Sequence, residues 1–352
     1  MKKYIFKRVS LIPLTLFGIL LLNFFIIQLA PGGPVEQTLA KYRGLNTNSS
    51  LSNTSQMQNQ SSQKYQGASG VSEDLIKNLE KQFGFDKPVH IRFLKMIKDY
   101  ATFNLGTSFY SNKKVSDLII EKMPVSISLG LWSTLLIYLI SIPLGIKKAI
   151  KDGTQFDLWS SFAIIIGSAI PVFLFAVFLI VFFAGGTYFN WFPLKGLTSQ
   201  NFEELSLLGK IADYFWHITL PVIAMTIGGF ASLTMLTKNS FLDEINKPYV
   251  ITAKAKGLSE KKVLYNHVFR NAMLIIISGM PAMFIKMLFT GSLLIEIIFS
   301  LNGLGLMGYN AILSRDYPVI FGTLYIFALL GLILKLISDI TYNLIDPRIK
   351  FE

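Results

Sequence analysis

Four stretches of this chain, Val9–Ala30, Val125–Ile146, Leu158–Ala184 and Tyr214–Thr237, contain no charged side chain at all. A helix rises 1.5 Å per residue, so about 20 apolar residues cross a hydrocarbon core of about 30 Å, and each stretch reaches that length. Inside that core every backbone N–H and C=O must be paired within the protein, and uninterrupted apolar runs of this length meet the demand as helices. Two further stretches, Ala272–Ile298 and Val319–Ile345, are as long and nearly as apolar, but carry Lys286 with Glu296, and Lys335 with Asp339. The expected fold is an all-α integral membrane protein with six transmembrane helices over 9–30, 125–146, 158–184, 214–237, 272–298 and 319–345. Charged residues make up 15% of the chain, against about 25% in soluble domains, which fits a protein solvated largely by lipid.

Val9–Ala30 follows Lys2, Lys3, Lys7 and Arg8, as a secretory signal would. Its apolar run exceeds the roughly 7–15 residues of a signal's hydrophobic region, and Ala30-Pro31-Gly32-Gly33 offers no A-x-A cleavage site, so it is expected to stay as the first crossing. Six crossings put both termini on one side. With residues 1–8 as a cytoplasmic tail, the segments around Lys147-Lys148-Lys151 and between Lys238 and Arg270 are cytoplasmic and basic. The opposite segments 185–213 and 299–318 balance Lys195, Lys210 and Arg315 with Glu203, Glu204, Asp213 and Asp316, as the positive-inside rule expects. The same distribution accounts for the formal net charge of +12, which is not gathered on one soluble face as nucleic-acid binding requires. The absence of cysteine excludes a disulfide scaffold, thiolate catalysis and a Cys-ligated metal.

The segment 31–124 is long enough to escape the charge rule and is expected outside the cell membrane. Within it, residues 46–70 are rich in Ser, Asn and Gln and bury too little to offset ordering entropy, which predicts a disordered loop. Ser72 is placed to cap a short helix that carries Leu75, Ile76, Leu79 and Phe83 on one face and ends at Gly84. Pro88 suits the start of a second helix through Tyr100, so residues 72–124 are expected to form a small helical extracytoplasmic cap.

Pro143, Pro171, Pro221 and Pro281 interrupt the crossings, and such kinks serve either close packing or a conduit. Between the fourth and fifth crossings, residues 238–271 are too polar to span. Pro248 fits a first helical position, Gly257 the position just past a helix end, and Ser259 the cap of a second helix, which predicts a cytoplasmic helical hairpin. Tyr249, Thr252, Ala253 and Lys256 recur at helical spacing, and small Ala253 beside Thr252 would let that face enter a partner's groove.

The run Thr252-Ala253-Lys254-Ala255-Lys256-Gly257, followed by His267-Val268-Phe269-Arg270-Asn271-Ala272, resembles the EAA coupling loop of ATP-binding-cassette importer permeases in its oligopeptide form. The likeness extends over nearly the whole chain, through Leu29-Ala30-Pro31-Gly32-Gly33-Pro34, Phe83-Gly84-Phe85-Asp86-Lys87-Pro88 and Leu105-Gly106-Thr107-Ser108. It continues in Gly291-Ser292, Glu296, Phe299-Ser300, Gly303-Leu304-Gly305, Ser314-Arg315-Asp316-Tyr317-Pro318 and Asp346-Pro347-Arg348-Ile349. Ser128–Trp132 and Thr234–Glu244 resemble the branch of that family that imports microcin C and other peptides. Thr252 stands where the EAA name has Glu, and an Ile-x-Leu-Pro ending is absent, a departure common among peptide permeases. Asn302-Gly303 replaces the Pro-Gly of general oligopeptide permeases.

What the resemblance implies is a type I importer permease in the bacterial cytoplasmic (inner) membrane. It implies a heterodimer with a second homologous permease, two cytoplasmic ATPases and an extracytoplasmic peptide-binding protein, with no nucleic-acid partner. Coupling to the ATPase would rest on Tyr249, Thr252, Ala253, Lys256, Gly257 and Arg270. Glu296, Lys286 and Asn302 become candidates for the translocation pathway.

No G-x-x-x-x-G-K-[ST] loop occurs, since Gly209-Lys210 is followed by Ile211; ATP and Mg are therefore expected on partner subunits, and no cofactor on this chain. His90, His217 and His267 sit on separate segments without metal-ligand spacing, and His217 reads as an interfacial residue beside Trp216. No Gly-x-Ser-x-Gly elbow or other nucleophile set is present, which argues against an enzyme. An ionisable group costs about 2.5–3.5 kcal/mol at the centre of a crossing on insertion scales, so each needs a cavity or a partner. Lys335 and Asp339, four apart, are expected to pair. Glu296 is expected either to line or gate the pathway or to pair structurally, and Lys286 to meet a peptide carboxylate or the partner permease. An ion-coupled secondary carrier is the alternative, though no inverted repeat supports it, and a permease for dipeptides or nickel chelates stays open within the same family.

Overall fold

The computed structural model describes residues 2–29, 87–186, 188–290 and 293–345. The loop expected over 46–70 and the helix expected from Ser72 to Gly84 lie outside them. Most of the described residues are α-helical: α1 Lys2–Leu29, α2 Val89–Ala101, α3 Val115–Ile150, α4 Gln155–Ala169, α5 Val172–Phe183, α6 Leu207–Ile245, α7 Pro248–Ala255, α8 Glu260–Val263, α9 Phe269–Thr290, α10 Leu293–Ile298, α11 Leu304–Ser314 and α12 Tyr317–Ile345. A π-helical turn, Leu264–Val268, joins α8 to α9. Five helical runs are long and apolar enough to cross a membrane, or six when the bent pair α4–α5 counts as one. At 36 residues α3 is about 54 Å long and overshoots the hydrocarbon core at its ends.

The run expected as a single crossing over 158–184 is two helices bent by 92°. The cause lies in the backbone preference around proline. Pro171 clashes with a helical residue before it, and Ile170 accordingly takes extended angles of φ −80° and ψ 120°. Pro221 and Pro281, by contrast, sit inside continuous helices α6 and α9.

The chain divides into two compact units. The larger comprises residues 1–9, 117–314 and 326–352, and α6 is its centre, packed against α4, α5 and α9. Ser206 caps α6, its hydroxyl accepting the Gly209 N–H at 3.2 Å. Small residues let helices approach: a Cβ on Gly145 of α3 would lie 2.5 Å from Thr237 Cβ of α6, and one on Gly228 of α6 would lie 2.9 Å from Val172 Cγ2 of α5. Side-chain hydrogen bonds to carbonyls tie the same helices, Tyr138 to Ile276 at 3.1 Å, Ser141 to Phe230 at 3.1 Å and Ser240 to Ala272 at 2.7 Å.

The smaller unit comprises residues 10–116 and 315–325. Phe93 of α2 packs on Phe17 and Phe24 of α1 at 5.7 and 5.1 Å between ring centroids. Tyr100, at the other end of α2, meets Tyr325 edge to face at 5.2 Å. Two of the recurring sequence motifs meet here: buried Ser108 donates to Asp316 Oδ2 at 2.5 Å, and the Phe109 N–H to Oδ1 at 3.2 Å. Gly106, at φ +84°, allows the turn that presents Ser108.

Candidate functional site

The polar hairpin after α6 is built as its sequence predicts. Lys247 is the N-cap of α7, and Pro248 occupies the first helical position, where its missing N–H costs nothing. Past the last turn, Gly257 adopts φ +80°. Its N–H donates to Lys254 O at 2.9 Å and the Leu258 N–H to Ala253 O at 3.4 Å, the paired bonds of a Schellman ending. Ser259 is the N-cap of α8 but makes no side-chain capping bond.

The six residues expected to couple do not share one open face. Ala253 is buried beside Val250, and Tyr249 is half-buried, so this stripe of α7 packs against the chain's own core. The reason is spacing: Tyr249, Val250 and Ala253, at i, i+1 and i+4, form the apolar side of a short helix that must lie on something. The open face instead presents Ile251, which is 64% exposed, with Thr252, Lys254, Ala255 and Lys256. Gly257 and Arg270 are exposed as well, and Arg270 makes no ion pair among the described residues. A cleft of about 460 Å³ opens beside the hairpin, floored by Ile150, Val250, Leu264 and Val268 and edged by Lys254 and Lys261.

Tyr249 is tied inward through its hydroxyl, which donates to Glu244 Oε2 at 2.5 Å and accepts from Asn271 Nδ2 at 3.1 Å. Burial and then the Glu244 carboxylate raise its pKa above the usual phenol value, which keeps the proton on the hydroxyl. Lys247 pairs with the other Glu244 oxygen.

Glu296 is enclosed by the chain's own residues. Its side chain is fully buried, with Oε1 accepting from Ser126 Oγ at 3.2 Å and Oε2 from the Leu306 N–H at 2.6 Å, while Ser126 Oγ accepts the Leu304 N–H at 2.9 Å. Together they satisfy two of the free amides at the start of α11, where an acidic group is favoured. Asn302, in the turn before α11, is exposed. The Lys286 side chain lies outside the described residues. Lys335 and Asp339 do not pair: Asp339 meets Arg8 at 3.3 Å, and Lys335 is exposed.

An apolar cavity of about 920 Å³ lies among α3, α5, α6, α9 and α10, lined by residues that include Tyr138, Phe173, Gly228, Gly229, Met283 and Leu294. Its volume lies in the range of small-molecule sites.

Sequence reasoning missed a buried ionic cluster. Lys148, counted above among loop charges, is fully buried, its ammonium 2.9 Å from Asp157 Oδ1 and donating to Ser160 Oγ at 2.9 Å and Ser161 Oγ at 2.7 Å. Lys238 reaches Asp157 Oδ2 at 2.7 Å and Asp152 at 2.8 Å. The signal was present: Asp157, Ser160 and Ser161, at i, i+3 and i+4, make one polar face on an otherwise apolar helix. His217 also differs from expectation, since it is buried with Nδ1 2.8 Å from Asp213 O, whereas Trp216 is the exposed interfacial residue.

Residues 141–351 match the family model described as "Binding-protein-dependent transport system inner membrane component". Over its full length the chain is 57% identical to the inner membrane ABC transporter permease protein YejB of Escherichia coli O157:H7, which it covers completely. It is 57% identical to the peptidoglycan transport system permease protein YejB of Agrobacterium fabrum, covering 99% of it with 100% of this chain. It is 33% identical to the oligopeptide transport system permease protein AppB of Bacillus subtilis, with both chains fully covered. Among solved structures, the MetNI methionine ABC transporter in inward-facing conformations superposes with a TM-score of 0.50 at 15% identity, over 65% of this chain and 96% of that one, a likeness of fold.

Proposed function

This chain belongs to the family of binding-protein-dependent transport system inner membrane components, the permease subunits of ATP-binding-cassette importers, and on that premise we propose how it works. It carries peptides or peptide-bearing compounds across the membrane, a reading supported by the oligopeptide and peptidoglycan transport named for its relatives, and microcin C is a further solute proposed within that class. Its hairpin faces the cytoplasm, as do both termini, and docks on an ATPase. A second permease completes the conduit, two ATPases bind ATP and Mg, and a separate binding protein delivers the solute.

The observation that carries this reading is the hairpin itself, a short rigid helix with an open face of Ile251, Thr252 and Ala255, set between membrane-crossing helices α6 and α9. Exposed Ile251 is flanked by Lys254 and Lys256, an arrangement suited to an apolar groove with an acidic rim. Nucleotide binding moves the ATPase, α7 follows, and the attached helices shift between inward-open and outward-open packings. The apolar cavity next to Gly228 and Gly229 supplies space on the solute's route, while Glu296 braces the scaffold around it.

The test is reconstituted uptake. Peptide accumulation in vesicles is expected to need the ATPases and ATP, and cysteine labelling at position 251 is expected only from the cytoplasmic side. Uptake by this chain alone under an ion gradient would instead make it a secondary carrier.

A further inference from the structure

A strut transmits motion only if its ends are fixed, and the backbone at both ends of α7 is weak. On one side α7 follows α6 through the two-residue joint Asn246-Lys247. On the other it is followed by the Gly257–Ser259 turn, α8 and the π turn, which the Phe269 N–H closes onto Leu264 O. A π turn has wider, less regular hydrogen bonding than the α-helix around it. Side chains bridge both weak points. Glu244 lies in the last turn of α6, Tyr249 in the first turn of α7 and Asn271 in the first turn of α9. The Tyr249 hydroxyl gives its proton to Glu244 at 2.5 Å and takes one from Asn271 at 3.1 Å, and the His267 carbonyl of the π turn stands 3.5 Å away. One half-buried hydroxyl thus contacts the two helices between which the hairpin hangs.

We propose that Glu244, Tyr249 and Asn271 are positioning residues, a latch that locks α7 to α6 and α9 so that displacement of α7 moves both. The proposal rests on the reading of α7 as the ATPase contact. It moves Tyr249 from the contact surface to the inside of the joint. A single hydroxyl does the bridging, so Tyr249→Phe removes the latch and leaves the ring packing in place, whereas Glu244→Gln keeps an acceptor for that hydroxyl.

The experiment uses the whole transporter, reconstituted with its partner permease, ATPases and binding protein, and measures peptide transported per ATP hydrolysed. Tyr249→Phe and Asn271→Leu are expected to lower that ratio about tenfold, the scale of one charge-assisted hydrogen bond, while the ATPases still co-purify. Glu244→Gln is expected to keep the ratio within about twofold of the parent. Pairing Glu244→Ala with Tyr249→Phe should do no more harm than the worse single change, because both remove the same bridge. An unchanged ratio in Tyr249→Phe overturns the latch, and so does a defect seen only as a lower yield of assembled complex. Ile251→Asp on the open face is the separate check of the underlying reading and should release the ATPases. If they stay bound to Ile251→Asp, the contact reading fails and the latch with it; if they leave while Tyr249→Phe transports normally, the latch alone fails.

Discussion

Replacing Gly303 by alanine tests whether Glu296 is a structural knot or a pathway residue. A Cβ built on Gly303 would lie 2.5 Å from both Cδ and Oε1 of Glu296, closer than real Cβ contacts come. The carboxyl group cannot yield easily, because it is fully buried and its two oxygens hold Ser126 and the Leu306 N–H. Overpacking of this kind costs about 1–3 kcal/mol, and stranding the Leu306 amide adds about 1–3 kcal/mol. The sum, about 2–6 kcal/mol, should lower the midpoint of thermal unfolding in detergent by several degrees, read as loss of the monodisperse species on size exclusion. Gly308→Ala, on the helix that follows, is the control: nothing lies within 4 Å of its added methyl, and alanine gains about 0.5–1 kcal/mol of helix propensity. Glu296→Ala should resemble Gly303→Ala, with the stability loss preceding any transport defect. Gly303→Ala as stable as Gly308→Ala would refute the packing argument, and a Glu296→Ala protein of parental stability that fails to transport would restore Glu296 to the pathway.

Three further outcomes follow from the same geometry. Lys148→Met should destabilise by about 1–3 kcal/mol, because it strips Ser160, Ser161 and Asp157 of a buried donor while Lys238 still neutralises Asp157, and adding Asp157→Leu, which leaves Lys238 to Asp152, should recover part of the loss; yields and thermal midpoints of the two proteins decide it. Gly257, at φ +80°, should accept Asn with little loss of ATP-driven uptake and reject Val, whose branched side chain opposes that backbone by about 1–2 kcal/mol; equal uptake by both variants would remove the Schellman ending from the coupling argument. Ser108→Ala should loosen the segment held by Asp316, at a cost of about 1–3 kcal/mol, and raise hydrogen exchange at residues 107–114 without raising it in α7.

The sequence by itself determined the solvent, the element type and the ends of the hairpin. Charge-free runs of membrane-spanning length leave the helix as the form that pairs every backbone group, so α1, α3 and α6 were legible before any contact was known. Pro248 and Gly257 act through the backbone angles of their own residues, and such local constraints survive in any tertiary setting. Which way a side chain points depends on what lies opposite it, and that only the tertiary structure decided. Ala253 and Tyr249 turn inward because α7 has its own core beneath it. Glu296 meets Ser126, 170 positions away in the chain, Lys148 finds an acidic partner on α4, and Asp339 selects Arg8 over the neighbouring Lys335. A buried charge commits to whichever partner completes its hydrogen bonds at close range, and helical spacing proposes partners only along one helix, never across the bundle.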